Sequence, residues 1–171
     1  MPYIAQKERE MFEPHLQEIF KHLKTNQDYK LFIATLALNY CGLGVNLLVN
    51  FEKFEILNGL KKCLGRIRTV GQYNYIITRC MHEFIIVRSL NYTNLNAILG
   101  IVEECTVILL GNLSEEFEES NMEDDSTVES ALGFLKAAQM EFYRMVAVPY
   151  ENSKIKLNGH VSVLDDKLYE D

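Results

Sequence analysis

The stretch that most constrains the fold is residues 31–51, which read LFIATLALNYCGLGVNLLVNF. Its 21 residues contain no charged side chain, so its length alone would suffice for a helix crossing a bilayer. Polar or small residues recur every three or four positions, along one helical stripe: Thr35, Asn39, Gly42, Asn46 and Asn50. Three asparagines and the pair Gly42 and Gly44 make a poor membrane span. We therefore predict a helix buried on most of its circumference, inside the domain or against another subunit, and the two glycines leave open whether it is one helix or two.

Helical periodicity continues on both sides of this stretch. Apolar residues at three- and four-residue spacing predict helices over residues 6–24, 52–69 and 72–89, and from Thr93 towards Leu113 or Phe117. Pro14 is expected in a first helical turn. A last helix is expected to begin at the capping box Ser126–Glu129 and to end at Val148, because Pro149 follows. The chain is thus predicted to be all-α, a single domain over residues 1–171 built as a bundle of five or six helices.

Two segments are expected to lie outside the helices. Seven acidic residues crowd positions 115–125, which predicts an acidic surface loop at about 114–126. That run contains no glycine, so a calcium-binding loop is not expected. In the C-terminal tail, residues 149–171, apolar residues alternate with polar ones around Asn158 and Gly159, which favours a short extended or hairpin segment.

The charge is distributed unevenly along the chain. The net charge is −7, but residues 1–113 hold 12 Lys+Arg against 10 Asp+Glu, whereas residues 114–171 hold 5 against 14. The overall acidity argues against binding to long nucleic acids, which requires neutralised phosphates. The slightly basic first part leaves a small phosphate-bearing ligand open.

Cysteine and histidine usage indicates neither a metal site nor an oxidising compartment. Cys41, Cys63, Cys80 and Cys105 are far apart, form no C-x-x-C motif and lie in apolar helical contexts. With no signal-peptide pattern at the N-terminus, a cytoplasmic location is expected. A histidine–glutamate triple shares one helical face, but we interpret these side chains as solvent-exposed polar residues rather than as a metal site; they are His15, Glu18 and His22. No cofactor, membrane partner or catalytic residue is predicted.

Polar side chains on otherwise apolar helices are the candidate ligand-binding residues. They are Asn74, Thr78, Arg79, Asn96, Glu103, Glu141, Tyr143 and Arg144. Helix bundles place pockets between helices, and arginine with tyrosine suits a phosphate and a flat base. An alternative interpretation is structural, with Glu103 or Glu141 paired with Arg79 or Arg144 inside a buried polar network.

Two further functions remain open from the sequence. Glu10-x-x-Glu13 and Glu52-x-x-Glu55 resemble half of the magnesium site of all-α nucleotide pyrophosphohydrolases, but no E-x-x-D motif follows at suitable spacing. The other possibility is a purely structural oligomeric protein. The leading prediction is a non-catalytic homo-oligomer that binds a partner or a small anionic, nucleotide-like ligand.

Several blocks of the chain form a recurring pattern: Gly71–Thr78, Tyr92 with Asn96–Glu103, Glu141–Arg144, Pro149–Glu151 and Asn158–Val161. In order and spacing they resemble a family of short bacterial and phage proteins of unknown function. Relative to shorter members, residues 26–70 and about 106–130 look inserted. The family usually has a second arginine where Met145 stands and an acid where His160 stands. The resemblance implies a helical, phage-borne protein and supplies no activity.

Overall fold

Seven α-helical segments and one π turn make up the part of the chain that the structure describes. This computed structural model describes residues 4–42, 54–120 and 125–160. In chain order the elements are α1 (Gln6–Phe20), α2 (Asn26–Tyr40), α3 (Phe54–Leu64), α4 (Val70–Arg88), α5 (Tyr92–Ser120), α6 (Asp125–Phe142), the π turn (Tyr143–Ala147) and α7 (Val148–Asn158). The α6 helix, the π turn and α7 follow one another without a break, so together they form one continuous helix that is widened at the π turn. The all-α prediction is confirmed.

The two central helices, α2 and α4, begin at matching threonine caps. Thr25 accepts a hydrogen bond from the backbone N–H of Asp28, whose carboxylate accepts from the N–H of Thr25 at 2.8 Å. Thr69 and Gln72 repeat this reciprocal arrangement at the start of α4. Each box satisfies backbone donors that a helix start leaves unpaired. The local sequence therefore determines where both central helices begin.

The core lies where α2 and α4 meet their neighbours. The α2 helix packs mainly on α5, α4 packs mainly on α6, and α1 packs on α3. Every residue from Phe32 to Leu38 is buried, as predicted for this uncharged stretch. The helix ends at Tyr40, and Gly42 follows with φ of +75°, a conformation that favours glycine. The question of one helix or two beyond this point concerns residues 43–51, which lie outside the described residues.

An aromatic cluster joins α2, α4 and α6. The ring centroids of Tyr73 and Phe134 are 5.4 Å apart and nearly parallel, and Tyr40 meets both rings edge-on at 5.2 Å. The side-chain amide of Asn39 donates to the hydroxyl of Tyr73 at 2.9 Å. Each aromatic pair contributes about 0.5–1.5 kcal/mol beyond the burial of its area. The cluster fixes α6, and hence the π turn that follows it, against the centre of the bundle.

The expected position of Pro14 is wrong. Pro14 lies inside α1 rather than in its first turn, because the helix already begins at Gln6. A proline inside a helix removes the hydrogen bond to the carbonyl four residues earlier, here that of Glu10. Both residues are exposed, so water can replace this bond.

The predicted helix end at Pro149 and the hairpin around Asn158 are also wrong. Pro149 stands in the first turn of α7, where a missing backbone N–H is tolerated. The preceding π turn closes with the N–H of Val148 bonded to the carbonyl of Tyr143, five residues back. The helix continues through Ile155 and Leu157 to Asn158, and Gly159 with φ of +80° ends it. Residues 161–171 lie outside the described part of the tail.

The α5 helix is longer than predicted and markedly apolar. It continues to Ser120, so residues 114–120 are helical rather than part of an acidic loop, consistent with the high helix propensity of glutamate. Residues 121–124 are not described. Within the described ranges, one helical stretch, Tyr92–Asn112, is long and apolar enough to cross a membrane by length and composition alone, and the same is true of core helices in soluble proteins. About a third of that stretch is buried.

Candidate functional site

An open groove of about 730 Å³ lies over the π turn. Its walls come from α5, α6, the π turn and α7, and its lining residues are Leu99, Lys136, Ala137, Gln139, Met140, Glu141, Tyr143, Arg144 and Val148. Most of the lining surface is apolar, and its charged members are Lys136, Glu141 and Arg144. A groove of this size is within the range of small-ligand sites.

The π turn places two of the predicted site residues at the groove. Tyr143 and Arg144 are its first two residues. A π turn is rare in helices and is found frequently at functional sites. Here it ends at Ala147, two residues before Pro149, whose ring would clash with the carbonyl four residues earlier in an unbroken α-helix. The sequence thus supplies a local reason for the widened turn, independent of any ligand.

Arg144 is the main cationic group of the groove. Its Nη2 atom donates to both carboxylate oxygens of Glu141, at 3.1 and 3.0 Å. The Arg144 side chain is 63% exposed, whereas that of Glu141 is 17% exposed. Its Nε and Nη1 groups make no hydrogen bond within the described residues, so they can bind an incoming acceptor. Glu141 therefore orients a guanidinium that still has donors to offer.

A second cation and a neighbouring amide complete the polar edge. The ammonium of Lys136 donates to the side-chain oxygen of Gln139 at 3.1 Å. The amide nitrogen of Gln139 in turn lies 3.4 Å from the carbonyl oxygen of Leu99 and 3.4 Å from a carboxylate oxygen of Glu103. Gln139 thus connects α6 to α5 and brings Glu103 to the edge of the groove.

Tyr143 remains a protonated hydrogen-bond donor at neutral pH. Its hydroxyl donates to Glu151 at 3.3 Å, and the negative charge of Glu151 raises the pKa of Tyr143. The ring is half exposed, next to the exposed side chain of Met140. Together these two side chains offer a flat, polarisable surface on which a planar group can stack.

A second set of predicted residues lies in the interior, away from the groove. Arg79 donates through Nε to Glu13 at 3.0 Å and through Nη1 to Glu83 at 3.1 Å. Tyr75 donates to the same oxygen of Glu13 at 2.7 Å. The guanidinium of Arg79 also stacks over the ring of Phe20. These contacts connect α4 to α1. The role of Arg79 is therefore structural.

The electrostatics of this interior network favour its ionised form. Partial burial raises the pKa of Glu13, but the Tyr75 hydrogen bond and the charge of Arg79 outweigh it, and the net pKa is lowered. For Arg79, burial lowers the pKa, but the charges and hydrogen bonds of Glu13 and Glu83 more than compensate. Both partners are therefore charged at neutral pH.

Asn74 and Thr78 belong to the interior as well, and Asn96 belongs to neither set. The buried amide of Asn74 donates to the carbonyl of Phe134 at 3.2 Å, and Thr78 lies 3.4 Å from the oxygen of Asn74. Asn96 is exposed on the outer side of α5. Three of the eight predicted residues thus line the groove: Glu141, Tyr143 and Arg144. Glu103 reaches its edge, and the other four lie elsewhere.

Sequence reasoning missed most of the groove lining. Lys136 is the one cation between residues 114 and 143, which was a usable signal. The apolar lining residues Leu99, Met140 and Val148 gave no signal in the sequence, because their helical spacing is the same as that of core residues.

The described residues give little support to a metal site at the histidine–glutamate triple or to the magnesium site of a pyrophosphohydrolase. His15, Glu18 and His22 line a smaller cleft of about 290 Å³ with Asn58 and Lys62. Across residues 4–42, 54–120 and 125–160, no group of three or more His, Cys, Asp or Glu side chains is placed to hold a metal ion. Of the proposed magnesium motifs, Glu13 is bonded to Arg79 and Glu10 to Gln6; the side chains of Glu52 and Glu55 lie outside the description.

The cysteines are free thiols, as expected. Cys63, Cys80 and Cys105 are buried, and Cys41 is half-buried. Burial raises the pKa of Cys63 to about 11 and that of Cys105 to about 12. These thiols behave as small apolar core residues rather than as nucleophiles.

The described residues form an all-α bundle with an open surface groove that Lys136 and Arg144 line. The chain belongs to a family described as domain of unknown function (DUF6899), whose profile matches residues 1–128 and 110–161. The two matches overlap over residues 110–128, which include the whole acidic run at positions 115–125. No curated protein and no solved structure matches the chain. The predicted membership of a family of unknown function is confirmed, and the bacterial or phage origin stays a prediction.

Proposed function

We propose that this protein is a non-catalytic, cytoplasmic homo-oligomer that binds a small anionic, nucleotide-like ligand in the groove over the π turn. One observation carries the ligand assignment: an open groove with an apolar lining has Arg144 at its edge, with unused guanidinium donors. The phage-related setting belongs to the same proposal and rests on the resemblance of the sequence blocks. The free, buried cysteines support a reducing compartment.

The polar groups of the groove favour a ligand with both an anionic end and a planar end. Guanidinium groups pair with phosphate or carboxylate oxygens, so Arg144 and Lys136 suit the anionic end. Tyr143 and Met140 offer a surface for a planar group. The carboxylate of Glu141, which Arg144 binds, would repel a second anionic group placed next to it. This combination matches a nucleotide better than it matches inorganic phosphate.

A binding screen with matched variants tests the ligand assignment. The probes are nucleoside mono-, di- and triphosphates, cyclic and linear dinucleotides, and inorganic phosphate, each measured by isothermal titration calorimetry after native mass spectrometry of the purified protein. We expect at least one nucleotide class to bind, and Arg144→Ala to weaken it about tenfold or more, the cost of a lost charge-assisted hydrogen bond.

Lys154→Ala is the matched control for this screen. Lys154 is an exposed cation that stacks on Tyr150 of α7 and does not line the groove, so its loss should leave binding unchanged. Equal effects of the two variants would overturn the site. A screen in which no nucleotide binds would overturn the ligand class and leave the purely structural alternative.

Exposed apolar side chains support the oligomeric part of the proposal. Large apolar residues that are well exposed on the described surface include Ile86, Val87, Tyr92, Val107 and Met140. Contiguous exposed apolar surface on a soluble protein commonly marks an interaction site. A light-scattering mass equal to the 19.8 kDa chain mass at micromolar concentration would refute oligomerisation.

A further inference from the structure

The groove over the π turn holds two cations at separate positions. Lys136 and Arg144 both line it, eight residues apart along one continuous helix. At a rise of about 1.5 Å per residue, their Cα atoms lie about 12 Å apart along the helix axis. Met140 lies halfway between them, four residues from each, and lines the same groove. The positive charge of the groove is therefore divided between two points.

The two cations differ in how far the protein neutralises them. Arg144 forms an ion pair with Glu141 at 3.0 Å, so its charge is partly balanced. Lys136 forms no ion pair among the described residues, and its ammonium donates to the neutral side-chain oxygen of Gln139 at 3.1 Å. Because an ammonium has three donors, two of them remain for a ligand. Lys136 is thus the groove cation with the most charge left to offer.

Gln139 holds Lys136 in place and keeps it apart from an acid of α5. The amide nitrogen of Gln139 lies 3.4 Å from the carbonyl oxygen of Leu99 and 3.4 Å from a carboxylate oxygen of Glu103. With its nitrogen on these two acceptors, Gln139 turns its oxygen towards the Lys136 ammonium. Glu103 therefore contacts the amide rather than the ammonium, and it is itself exposed to water.

The surface between the two cations suits an uncharged group. Its apolar members are Leu99, Ala137, Met140 and Val148. Glu141 lies beside Arg144 and would repel a second phosphate joined directly to the one that Arg144 binds. A second phosphate that lies beyond this apolar stretch meets Lys136 instead. The groove therefore favours two phosphates that are held apart over two that are joined.

We propose that the groove binds a nucleotide whose two phosphate groups are separated by a sugar, with one phosphate at Arg144 and the other at Lys136. This proposal rests on the nucleotide binding proposed above and names the ligand class. The sugar and base lie over the apolar stretch, with Met140 and Tyr143 available to the base. Both cationic side chains are long and flexible, so they can lean towards each other and bind phosphates closer together than their Cα atoms.

Pairs of isomeric nucleotides test the separation of the phosphates. A nucleoside 3′,5′-bisphosphate and the corresponding 5′-diphosphate have the same atoms and the same two phosphate groups, but only the first has the sugar between them. Isothermal titration calorimetry is run on both isomers with each of the four common bases. We expect the bisphosphate to bind about tenfold or more tightly than its isomer. A diphosphate that binds as tightly as its isomer, for every base that binds, would overturn the proposal.

Lys136→Ala tests whether the second cation contacts the second phosphate. It should weaken bisphosphate binding about tenfold, the cost of a lost charge-assisted hydrogen bond. It should weaken binding of the 5′-monophosphate by less than about twofold, because a single phosphate binds at Arg144. Lys136→Arg keeps the cation and should bind the bisphosphate to within about threefold of wild type.

Lys154→Ala is the matched control, since it removes an exposed cation outside the groove and should change neither affinity. Lys136 and Lys154 are both exposed on helices, so their substitution should leave the fold intact, which circular dichroism checks. Unchanged bisphosphate binding by Lys136→Ala contradicts the second contact. Equal weakening of the monophosphate and the bisphosphate contradicts it as well.

Failure of this proposal and failure of nucleotide binding itself give different results. Nucleotide binding that depends on Arg144 but not on Lys136 leaves the proposed function standing and overturns the separated phosphates. If no nucleotide binds to the wild-type protein, both proposals are overturned together.

Discussion

Arg79 and Arg144 are both paired with glutamate, but they belong to different parts of the molecule. The Arg79 side chain is 20% exposed and binds Glu13 and Glu83 between α1 and α4. Arg144 is 63% exposed and binds Glu141 within one helical turn, at the open groove. The interior arginine has its charge neutralised by fixed partners, whereas the groove arginine keeps donors facing solvent. The degree of burial, not the residue pattern, separates a structural ion pair from a candidate ligand-binding group.

The largest expected difference is between the two arginine-to-alanine variants. Arg79→Ala leaves two partly buried carboxylates without their partner, which should lower the free energy of unfolding by about 2–3 kcal/mol, less than for a fully buried pair. Arg144→Ala should lower it by less than about 0.5 kcal/mol, because exposed ion pairs contribute little. Urea unfolding followed by circular dichroism measures both. Equal losses in the two variants would contradict the comparison.

The two asparagines Asn74 and Asn96 give the next largest contrast. Asn74→Ala removes the buried amide that donates to the carbonyl of Phe134, so we expect a loss of about 1–3 kcal/mol. Asn96→Ala, on the exposed side of α5, should be neutral or slightly stabilising, because alanine has the higher helix propensity. The shift in the urea midpoint reports the difference, measured at a protein concentration where both variants are in the same oligomeric state. A destabilised Asn96→Ala under those conditions would show that this residue has an internal partner.

The two tyrosines Tyr75 and Tyr143 make a smaller contrast of the same kind. Tyr75→Phe removes a 2.7 Å hydrogen bond to the carboxylate of Glu13 and should cost about 1–2 kcal/mol. Tyr143→Phe removes an exposed 3.3 Å bond to Glu151 and should cost less than about 0.5 kcal/mol. Thermal unfolding suffices to rank the two variants. If Tyr143→Phe proved the more destabilising, the π turn would depend on that hydrogen bond.

The smallest expected effect is the loss of folding stability at acidic pH that the interior network causes. The pKa of Glu13 is lowered in the folded protein, so its ionised form stabilises the fold above its unfolded pKa, and that stabilisation disappears as the pH falls through the folded value. Wild type should therefore lose stability between about pH 5 and pH 3, and Glu13→Gln should show a shallower loss. Glu10→Gln is the control, since Glu10 is exposed and bonds only to Gln6 among the described residues. Parallel pH profiles of Glu13→Gln and wild type would refute the role of Glu13.

Much of the fold was predictable because the helical spacing of apolar residues is a property of neighbouring positions. The threonine caps of α2 and α4 are local as well, but the predicted helices began at residues 31 and 72, whereas the structure has them begin at Asn26 and Val70. The errors arose where a local rule had two outcomes. Proline is expected at a helix start, yet Pro14 is tolerated inside α1 because that side of the helix faces water, and the π turn lets the chain pass Pro149.

The candidate site was only partly predictable, for a different reason. Polar residues on apolar helices share one signature, and that signature selected Asn74 and Arg79 together with Tyr143 and Arg144. Nothing in the spacing distinguishes a face that another helix covers from a face that lines a groove. The packing of α5 against α6 brings Lys136, Met140 and Leu99 into the groove lining, and the spacing of residues along the chain does not predict that packing.

The sequence by itself therefore determined that the chain is helical, where its central helices begin, and which polar residues interrupt apolar faces. These features follow from hydrogen bonds and side-chain spacing within a few residues. Tertiary structure decided which arginine is enclosed by its partners and which is open at the groove. Burial depends on residues that are distant in the chain, such as Glu13 beside Arg79, and only the packed helices bring them together.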